Sequence, residues 1–248
     1  MKHFKLLFLI ACFAFPMTLV AQDNFVLAAE DDWYPYSAKN GSGAEGLSVE
    51  LITAAYEAAD AKVSYEVVPF SRAMAGVKSG RYSGCFNVGK SEQLKADYLV
   101  PDQLIAESVQ TVWGGLNASP VKSYQQLEGK TVGITNGYTY DSLLTNNDKI
   151  TKETARIEVS NLKKLARGRI DYTIVDRLVA MYLIRANKAE LQGKIKPLGQ
   201  LQLDAIIPVF SKTHPDGAKA MHAYEKGMEI IKANGTYEKI IKAWEVKL

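Results

Sequence analysis

Cysteine and histidine are scarce in this sequence, which limits how the fold can be held together. The 248 residues contain two cysteines and three histidines. Only Cys85 lies outside the apolar N-terminal segment, so an intrachain disulfide is excluded once that segment is removed. Within the apolar stretch GCFNV, Cys85 is expected to be a small buried residue rather than a nucleophile. The histidines and Cys85 show no metal-ligand spacing, and we expect neither a metal nor another cofactor.

An excess of charge of either sign is also lacking. Thirty Lys and Arg residues face 27 Asp and Glu residues, for a formal net charge of +3. Such a balanced surface gives no reason to expect nucleic acid or an anionic membrane as a partner. The proportions of hydrophobic residues, 47%, and of charged residues, 23%, are typical of a globular protein with one large domain or two small ones.

Long hydrophobic runs are missing except at the N-terminus. An apolar run from Leu6 to Phe15 follows Lys2 and Lys5 and leads to Ala21. This layout is typical of a secretory signal peptide over residues 1–21, cleaved after Ala21. The mature chain would then begin at Gln22 and be secreted.

This segment has two alternative interpretations. A membrane anchor is disfavoured because Pro16 and Thr18 interrupt the run, which leaves it short of the roughly 20 apolar residues of a stable span. Leu9-Ile10-Ala11-Cys12 resembles a lipobox, so lipidation at Cys12 ranks second to simple cleavage.

Strand and helix patterns alternate along the rest of the chain. Strands are expected over 24–30, 63–70, 83–88, 130–135 and 172–175, and helices over 46–60, 71–80, 139–148, 160–168 and 177–190. Ser160 is expected to be the N-cap of its helix. Residues 195–212 are expected to be extended and those from 214 onward helical. This order predicts parallel βαβ units in two α/β blocks, joined by strands that cross between two lobes.

One of these strands, YTIV, ends on Asp176 immediately before a helix. A carboxylate in that position can be the N-cap of the helix. It can also face a ligand, because open α/β sheets bind ligands beyond the carboxyl ends of their strands.

Several segments, taken in order, resemble one known family. They are EDDWYPY (30–36), GLSVEL (46–51), PFSRA (69–73), GRYSG (80–84), LEGKTVG (127–133) and GRID (168–171) with Asp176. They are similar to the bacterial extracellular solute-binding proteins of family 3, the periplasmic polar amino-acid-binding components of ABC importers. The resemblance implies a type II periplasmic-binding-protein fold, an α/β fold with two lobes. Each lobe would be a mostly parallel sheet flanked by helices, with the ligand cleft at the hinge. Lobe 1 would comprise residues 22–113 and 204–248, and lobe 2 residues 114–203.

The resemblance also implies a set of ligand contacts. Asp176 corresponds to an aspartate that pairs with a ligand ammonium, and Trp33 to an aromatic residue that packs on the ligand. Glu30 corresponds to an acidic position that can touch the ligand side chain. Residues 137–139 match a Gly-x-Thr turn that holds the ligand carboxylate, at what we expect to be an anion-binding helix start.

At one position the sequence departs from the family pattern. The arginine that would grip the ligand carboxylate falls on Glu92 or Leu94, and neither side chain can form that clamp. Lys90 or Arg72 could supply the positive charge instead. The complete set of expected ligand contacts is Glu30, Trp33, Tyr36, Arg72, Asn87, Lys90, Gly137, Tyr138, Thr139 and Asp176.

These features predict a periplasmic receptor, monomeric by analogy with the family, that is not an enzyme. It would capture a small polar solute, an amino acid or a related amine, by lobe closure and deliver it to a membrane ABC permease. Two alternatives stay open. One is an enzyme on the same scaffold, similar to cyclohexadienyl dehydratases, with Glu30 or Glu92 as acid or base. The other is a sensor that acts in trans on a membrane signalling protein.

Overall fold

A computed structural model describes residues 22–41 and 43–247 of the protein. The expected signal peptide and Cys12 lie outside the described residues. None of the helices in the described part of the chain combines the length and the apolar character that a membrane crossing requires.

Strands and helices alternate through most of the chain. The strands are β1 (Asn24–Glu30), β2 (Asp32–Trp33), β3 (Ser37–Asn40), β4 (Gly43–Glu45), β5 (Lys62–Val68), β6 (Gly84–Gly89), β7 (Tyr98–Leu99), β8 (Ala106–Gly115), β9 (Thr131–Thr135), β10 (Thr151–Ala155), β11 (Tyr172–Asp176) and β12 (Ile195–Ser211). The helices are α1 (Leu47–Ala58), α2 (Phe70–Lys78), α3 (Leu94–Asp97), α4 (Ser142–Thr145), α5 (Glu158–Ala166), α6 (Arg177–Ala186), α7 (Lys188–Leu191), α8 (Gly217–Ala233) and α9 (Thr236–Lys247), with a 3₁₀ turn at Tyr124–Leu127.

The main sheet has the strand order β10-β9-β11-β8-β12-β6-β1-β5, with β7 paired to β12. Strand β1 is parallel to β5 and β6, and β9 is parallel to β10 and β11. We call the first group, with α1, α2, α8 and α9, the first lobe. The second group, with α4 to α7, is the second lobe. The two-lobe α/β fold with mostly parallel sheets is therefore confirmed.

Two long strands connect the lobes. β8 and β12 are antiparallel to each other over ten residue pairs, from Ile195↔Gly115 to Ile206↔Ala106. β8 also pairs with β11 of the second lobe, and β12 with β6 of the first. The expected lobe boundaries, at 113/114 and 203/204, fall inside these strands, so the residue-level division stays a prediction.

Several expected elements have different bounds in the structure. Ser160 lies inside α5, whose N-cap is Ile157, so the predicted Ser160 cap is wrong. The helix expected over 139–148 is confined to Ser142–Thr145, because Asp141 caps it there. The helix expected over 177–190 is interrupted at Asn187 and forms α6 and α7.

The close approach of α1 and α8 depends on a glycine in the first lobe. A Cβ atom on Gly227 would lie 1.8 Å from the backbone oxygen of Ala55. The neighbouring side chains of Tyr56, Tyr224 and Met228 are fully buried. These two helices therefore pack at a distance that only glycine allows at position 227.

We expect Gly227→Ala to destabilise the protein, because the added methyl group must push α1 and α8 apart. Overpacking of this kind costs about 1–3 kcal/mol. Urea unfolding of residues 22–248, monitored by circular dichroism, measures the free energy of unfolding. Gly115→Ala is the matched control, since nothing lies within 4 Å of the Cβ position at Gly115. Equal free energies of unfolding for the two variants would contradict the close packing at Gly227.

Candidate functional site

A small cavity lies where the two lobes meet, with a volume of about 50 Å³. It is at the carboxyl ends of β1 and β6, the edge at which open α/β sheets bind ligands. The first lobe, the second lobe and both crossing strands contribute to its wall. The lining residues are Glu30, Trp33, Phe70, Asn87, Gly89, Ser108, Gln110, Tyr138, Thr139, Asp204 and Ile206.

Glu30, the last residue of β1, is a buried carboxyl group in this cavity and is 5% exposed. The Tyr138 hydroxyl of the second lobe donates a hydrogen bond to Glu30 Oε1 at 2.7 Å. Burial raises the pKa of Glu30 from its ordinary value to about 8. The Tyr138 hydrogen bond opposes this shift, whereas Asp31 and Asp32 add to it. Near neutral pH the Glu30 carboxyl group therefore retains its proton in the closed cavity.

Asn87 presents an unpaired amide to the same cavity. It lies in β6 with φ +67°, a conformation that is uncommon for a residue other than glycine. Its side chain is 7% exposed, and neither Nδ2 nor Oδ1 has a hydrogen-bond partner among the described residues. Because buried polar atoms are nearly always hydrogen-bonded, a polar ligand would satisfy a group that the fold itself leaves unpaired.

Aromatic rings form the apolar part of the wall. Trp33 stacks on Tyr36, with ring centroids 4.4 Å apart, and Phe70 meets Tyr138 edge-on at 5.7 Å. Tyr36 lies behind Trp33 and does not line the cavity. The Trp33 and Phe70 rings can pack against a cation or against an apolar part of a ligand.

A second buried carboxyl group, Glu158 at the start of α5, was not predicted from the sequence. Its Oε2 atom has no hydrogen-bond partner in the described structure. Burial raises the pKa of Glu158, and the nearby Glu30, Asp176 and Asp32 raise it further. The Trp33 N–H lies near enough to oppose this shift but does not reach hydrogen-bond geometry. Acidic residues are common in the first turn of a helix, so nothing in the sequence distinguishes Glu158.

Asp176 has the geometry of a helix N-cap in the structure, and it is 1% exposed. Burial raises its pKa, and its hydrogen bonds oppose the shift. The carboxylate accepts from Leu178 N, Val179 N, Ser108 Oγ, Val109 N and Tyr36 Oη, at 2.8–3.3 Å. These contacts match the capping alternative. A ligand contact at Asp176 stays a prediction, and the residue does not line the cavity.

The two candidate replacements for the missing arginine lie elsewhere. Lys90 lines a second, open pocket of about 550 Å³, which shares Gly89, Thr139 and Asp204 with the cavity. Arg72 is exposed on α2 and lines neither space. In the described structure, therefore, no lysine or arginine is among the residues that line the cavity.

The loop after β9 also differs from expectation. The α4 helix begins only at Ser142, and Asp141 accepts a hydrogen bond from Leu143 N at 2.7 Å. The helix start expected at residues 137–139 is therefore wrong, because those residues precede the helix, and an anion site on this turn stays a prediction. Thr139 lines the cavity, whereas Gly137 adopts φ +81° close to Ser71 of α2. A ligand contact at Gly137 stays a prediction.

The site is suited to binding through hydrogen bonds, charge and aromatic packing. Among the described residues, no group of three or more His, Cys, Asp or Glu side chains is arranged to hold a metal ion. Five of the ten predicted contacts line the cavity together: Glu30, Trp33, Asn87, Tyr138 and Thr139. Phe70, Gly89, Ser108, Gln110, Asp204 and Ile206 complete its wall without having been predicted.

Sequence comparison identifies similar proteins over nearly the whole described chain. Residues 25–247 match the profile of the bacterial extracellular solute-binding proteins, family 3. A Vibrio harveyi protein that carries the name amino-acid ABC transporter-binding protein PatH is 25% identical over 229 residues, which covers 92% of this chain and 90% of that protein. The Bacillus subtilis (strain 168) protein YxeM, named as an amino-acid-binding protein, is 25% identical over 225 residues, 88% and 83% of the two chains.

Solved structures show the same fold. A histidine kinase sensor domain with similarity to periplasmic binding proteins superimposes with a TM-score of 0.78 at 20% identity, covering 90% of this chain and 96% of that one. An ancestral arginine-binding protein bound to arginine gives a TM-score of 0.77 at 20% identity, with 90% and 98% coverage. At these identities the similarity describes the fold and not the ligand.

We expect Asp176→Asn to destabilise the protein in the absence of any ligand. The new amide NH₂ would face the Val109 N–H and the Ser108 hydroxyl, so donors would meet donors at a buried position. Loss of such paired hydrogen bonds costs about 1–3 kcal/mol. Chemical denaturation measures the change. Asp141→Asn is the matched control, because asparagine is an equally good cap at this exposed helix start. An unchanged free energy of unfolding in Asp176→Asn would show that the five hydrogen bonds to the carboxylate are not needed for stability.

We expect the stability difference between Glu30→Gln and the unchanged protein to grow with pH. Folded Glu30 holds its proton up to about pH 8, whereas unfolded glutamate loses it at about pH 4.3. Between these values the unfolded state releases a proton that the folded state retains. The free energy of unfolding therefore falls as pH rises, by up to about 1.4 kcal/mol per unit, and levels off above the folded pKa.

Glutamine does not titrate, so Glu30→Gln lacks this loss of stability. Its free energy of unfolding should rise relative to that of the unchanged protein from about pH 5 to about pH 8. Urea unfolding across that range measures it. The control is Glu57→Gln, at an exposed position on α1. Its free energy of unfolding should differ from that of the unchanged protein by the same amount at every pH. A constant difference for Glu30→Gln over the whole range would contradict a raised pKa at Glu30.

Proposed function

The chain belongs to the bacterial extracellular solute-binding proteins, family 3, and we propose that it captures a small polar solute between its lobes. The solute would be an amino acid or a related amine, delivered to a membrane ABC importer. Residues 1–21 would direct secretion to the periplasm, where the mature chain acts as a monomer. The names carried by PatH and YxeM support the amino-acid and transporter parts of this proposal.

One observation carries the proposal: the unpaired amide of Asn87 in a cavity that both lobes enclose. A ligand that bonds to Asn87 in the first lobe and to Thr139 in the second favours the closed arrangement, because it has more contacts there than in an open one. The Tyr138–Glu30 hydrogen bond joins the lobes at the same place. Capture would therefore proceed by hinge closure around the solute.

The enzyme alternative rests on Glu30, since a carboxyl group with a pKa of about 8 can serve as a general acid. The same shift follows from burial of any carboxyl group whose cationic partner is a ligand. Binding explains the shift without a second catalytic group, and we therefore favour a receptor. A sensor acting in trans would use the same capture step and would differ only in the protein that it contacts.

We expect Asn87→Gly to weaken ligand binding without loss of stability. Glycine adopts positive φ freely, so the backbone at position 87 is preserved while the amide is removed. A thermal-shift screen of residues 22–248 against amino acids and amines measures binding. A ligand at a hundredfold excess over its Kd stabilises the unchanged protein by about 2.7 kcal/mol. Loss of a hydrogen bond to a charged ligand lowers affinity by about tenfold to a hundredfold.

Asp60→Gly is the matched control, because Asp60 also has positive φ, +60°, and is exposed away from the cavity. It should keep the full thermal shift. An unchanged shift in Asn87→Gly would place the ligand elsewhere, and the absence of a shift in the unchanged protein with any compound would contradict the proposed function.

A further inference from the structure

We propose that the cavity selects a cationic amine that carries no carboxylate, with its ammonium or guanidinium group held by Glu30 and Asn87. This inference rests on the proposed function, because it names the chemical class of the captured solute. It depends on the charges, hydrogen bonds and shape of the cavity wall.

The ionisable groups of the wall are acidic. Glu30 and Asp204 line the cavity, and none of the lining side chains in the described structure is lysine, arginine or histidine. Buried Glu158 and Asp176 lie close enough to affect each other electrostatically. A ligand carboxylate placed here would lose its hydration beside other carboxyl groups and gain no cation in return. An ammonium group would instead meet carboxyl oxygens and the Asn87 amide oxygen.

Several hydrogen-bond donors near the cavity are engaged, whereas the buried Trp33 Nε1 and Asn87 Nδ2 are unpaired. Ser108 donates to Asp176, and Gln110 donates to Ser108. The backbone N–H groups of Asn136, Tyr138 and Lys90 bond to the carbonyl oxygens of Ala155, Thr135 and Ala205. Acceptors are also available, since Asn87 Oδ1 is unpaired and Tyr138 is the one donor to Glu30 among the described residues. The wall can therefore accept hydrogen bonds from a donor-rich cation, and its acidic residues without a lysine, arginine or histidine disfavour an anion.

The shape of the site limits what the enclosed part can hold. A cavity of about 50 Å³ has room for a small head group and little more. Gly89, Thr139 and Asp204 also border the open pocket of about 550 Å³. That pocket includes Asp97 and Asp141 as well as Lys90. The rest of an elongated amine would extend past Asp204 into this mainly acidic space.

The test uses pairs of compounds that differ only in one carboxylate: lysine with cadaverine, arginine with agmatine, and ornithine with putrescine. Isothermal titration calorimetry of residues 22–248, run near pH 8, measures each Kd. We expect the amine of at least one pair to bind at least about tenfold more tightly than its amino acid. A dicarboxylate without an amine, glutarate, serves as the anionic control and should not bind.

The outcomes separate the two proposals. If amino acids bind as tightly as their amines or more tightly, or if glutarate binds, the inference is overturned and the proposed receptor function stands. If none of these compounds binds, the inference is overturned, and the wider thermal-shift screen of amino acids and amines decides the proposed function. Glu30→Gln should weaken amine binding at least about tenfold, and exposed Glu57→Gln should leave it unchanged. Equal amine affinity in these two variants would overturn the assignment of Glu30 as the partner of the cation.

Discussion

Three carboxyl groups lie buried where the two lobes meet, and the way in which each is accommodated determines the chemistry of the site. Asp176 has five protein donors and is the N-cap of α6, so its role in the fold is complete without a ligand. Glu30 has one donor, Tyr138, and a raised pKa. Glu158 keeps an unpaired oxygen beside Trp33. An ionised carboxylate is therefore unfavourable at Glu30 and at Glu158. Protonation removes the charge there, and a bound cation would compensate for it.

The same junction depends on contacts made between the lobes. The Tyr138 ring packs edge-on against Phe70 while its hydroxyl reaches Glu30. Tyr34 contacts Tyr182 with ring centroids 4.4 Å apart. These contacts are made by aromatic rings and a hydroxyl group and not by ion pairs. The arrangement of the lobes therefore does not depend on paired surface charges, which contribute little to stability.

Much of the fold could be predicted from the sequence, because local patterns determine it. β1 has its expected bounds, since a short apolar run there is flanked by polar residues. β10 and the small β2–β3–β4 sheet were missed, because strands of two to five residues with few apolar positions show no clear periodicity. In the site, Glu30 was expected because it ends β1 and matches an acidic position of the resembled family, whereas no local pattern distinguishes Asn87, which lies inside β6. Glu158 was not, because its burial depends on packing against Trp33, a residue far away in the sequence.

The ribbon formed by β8 and β12 has a mechanical consequence. Sliding one strand along the other would break hydrogen bonds along ten residue pairs together, whereas bending and twisting keep them. The ladder shifts register between Pro197 and Gly199 and again between Gln200 and Gln202, beside the second lobe. These interruptions remove ladder hydrogen bonds, so any bending between the lobes would be concentrated in that part of the ribbon. A hinge confined to so few residues would return the same atoms to the same positions each time the lobes approach each other.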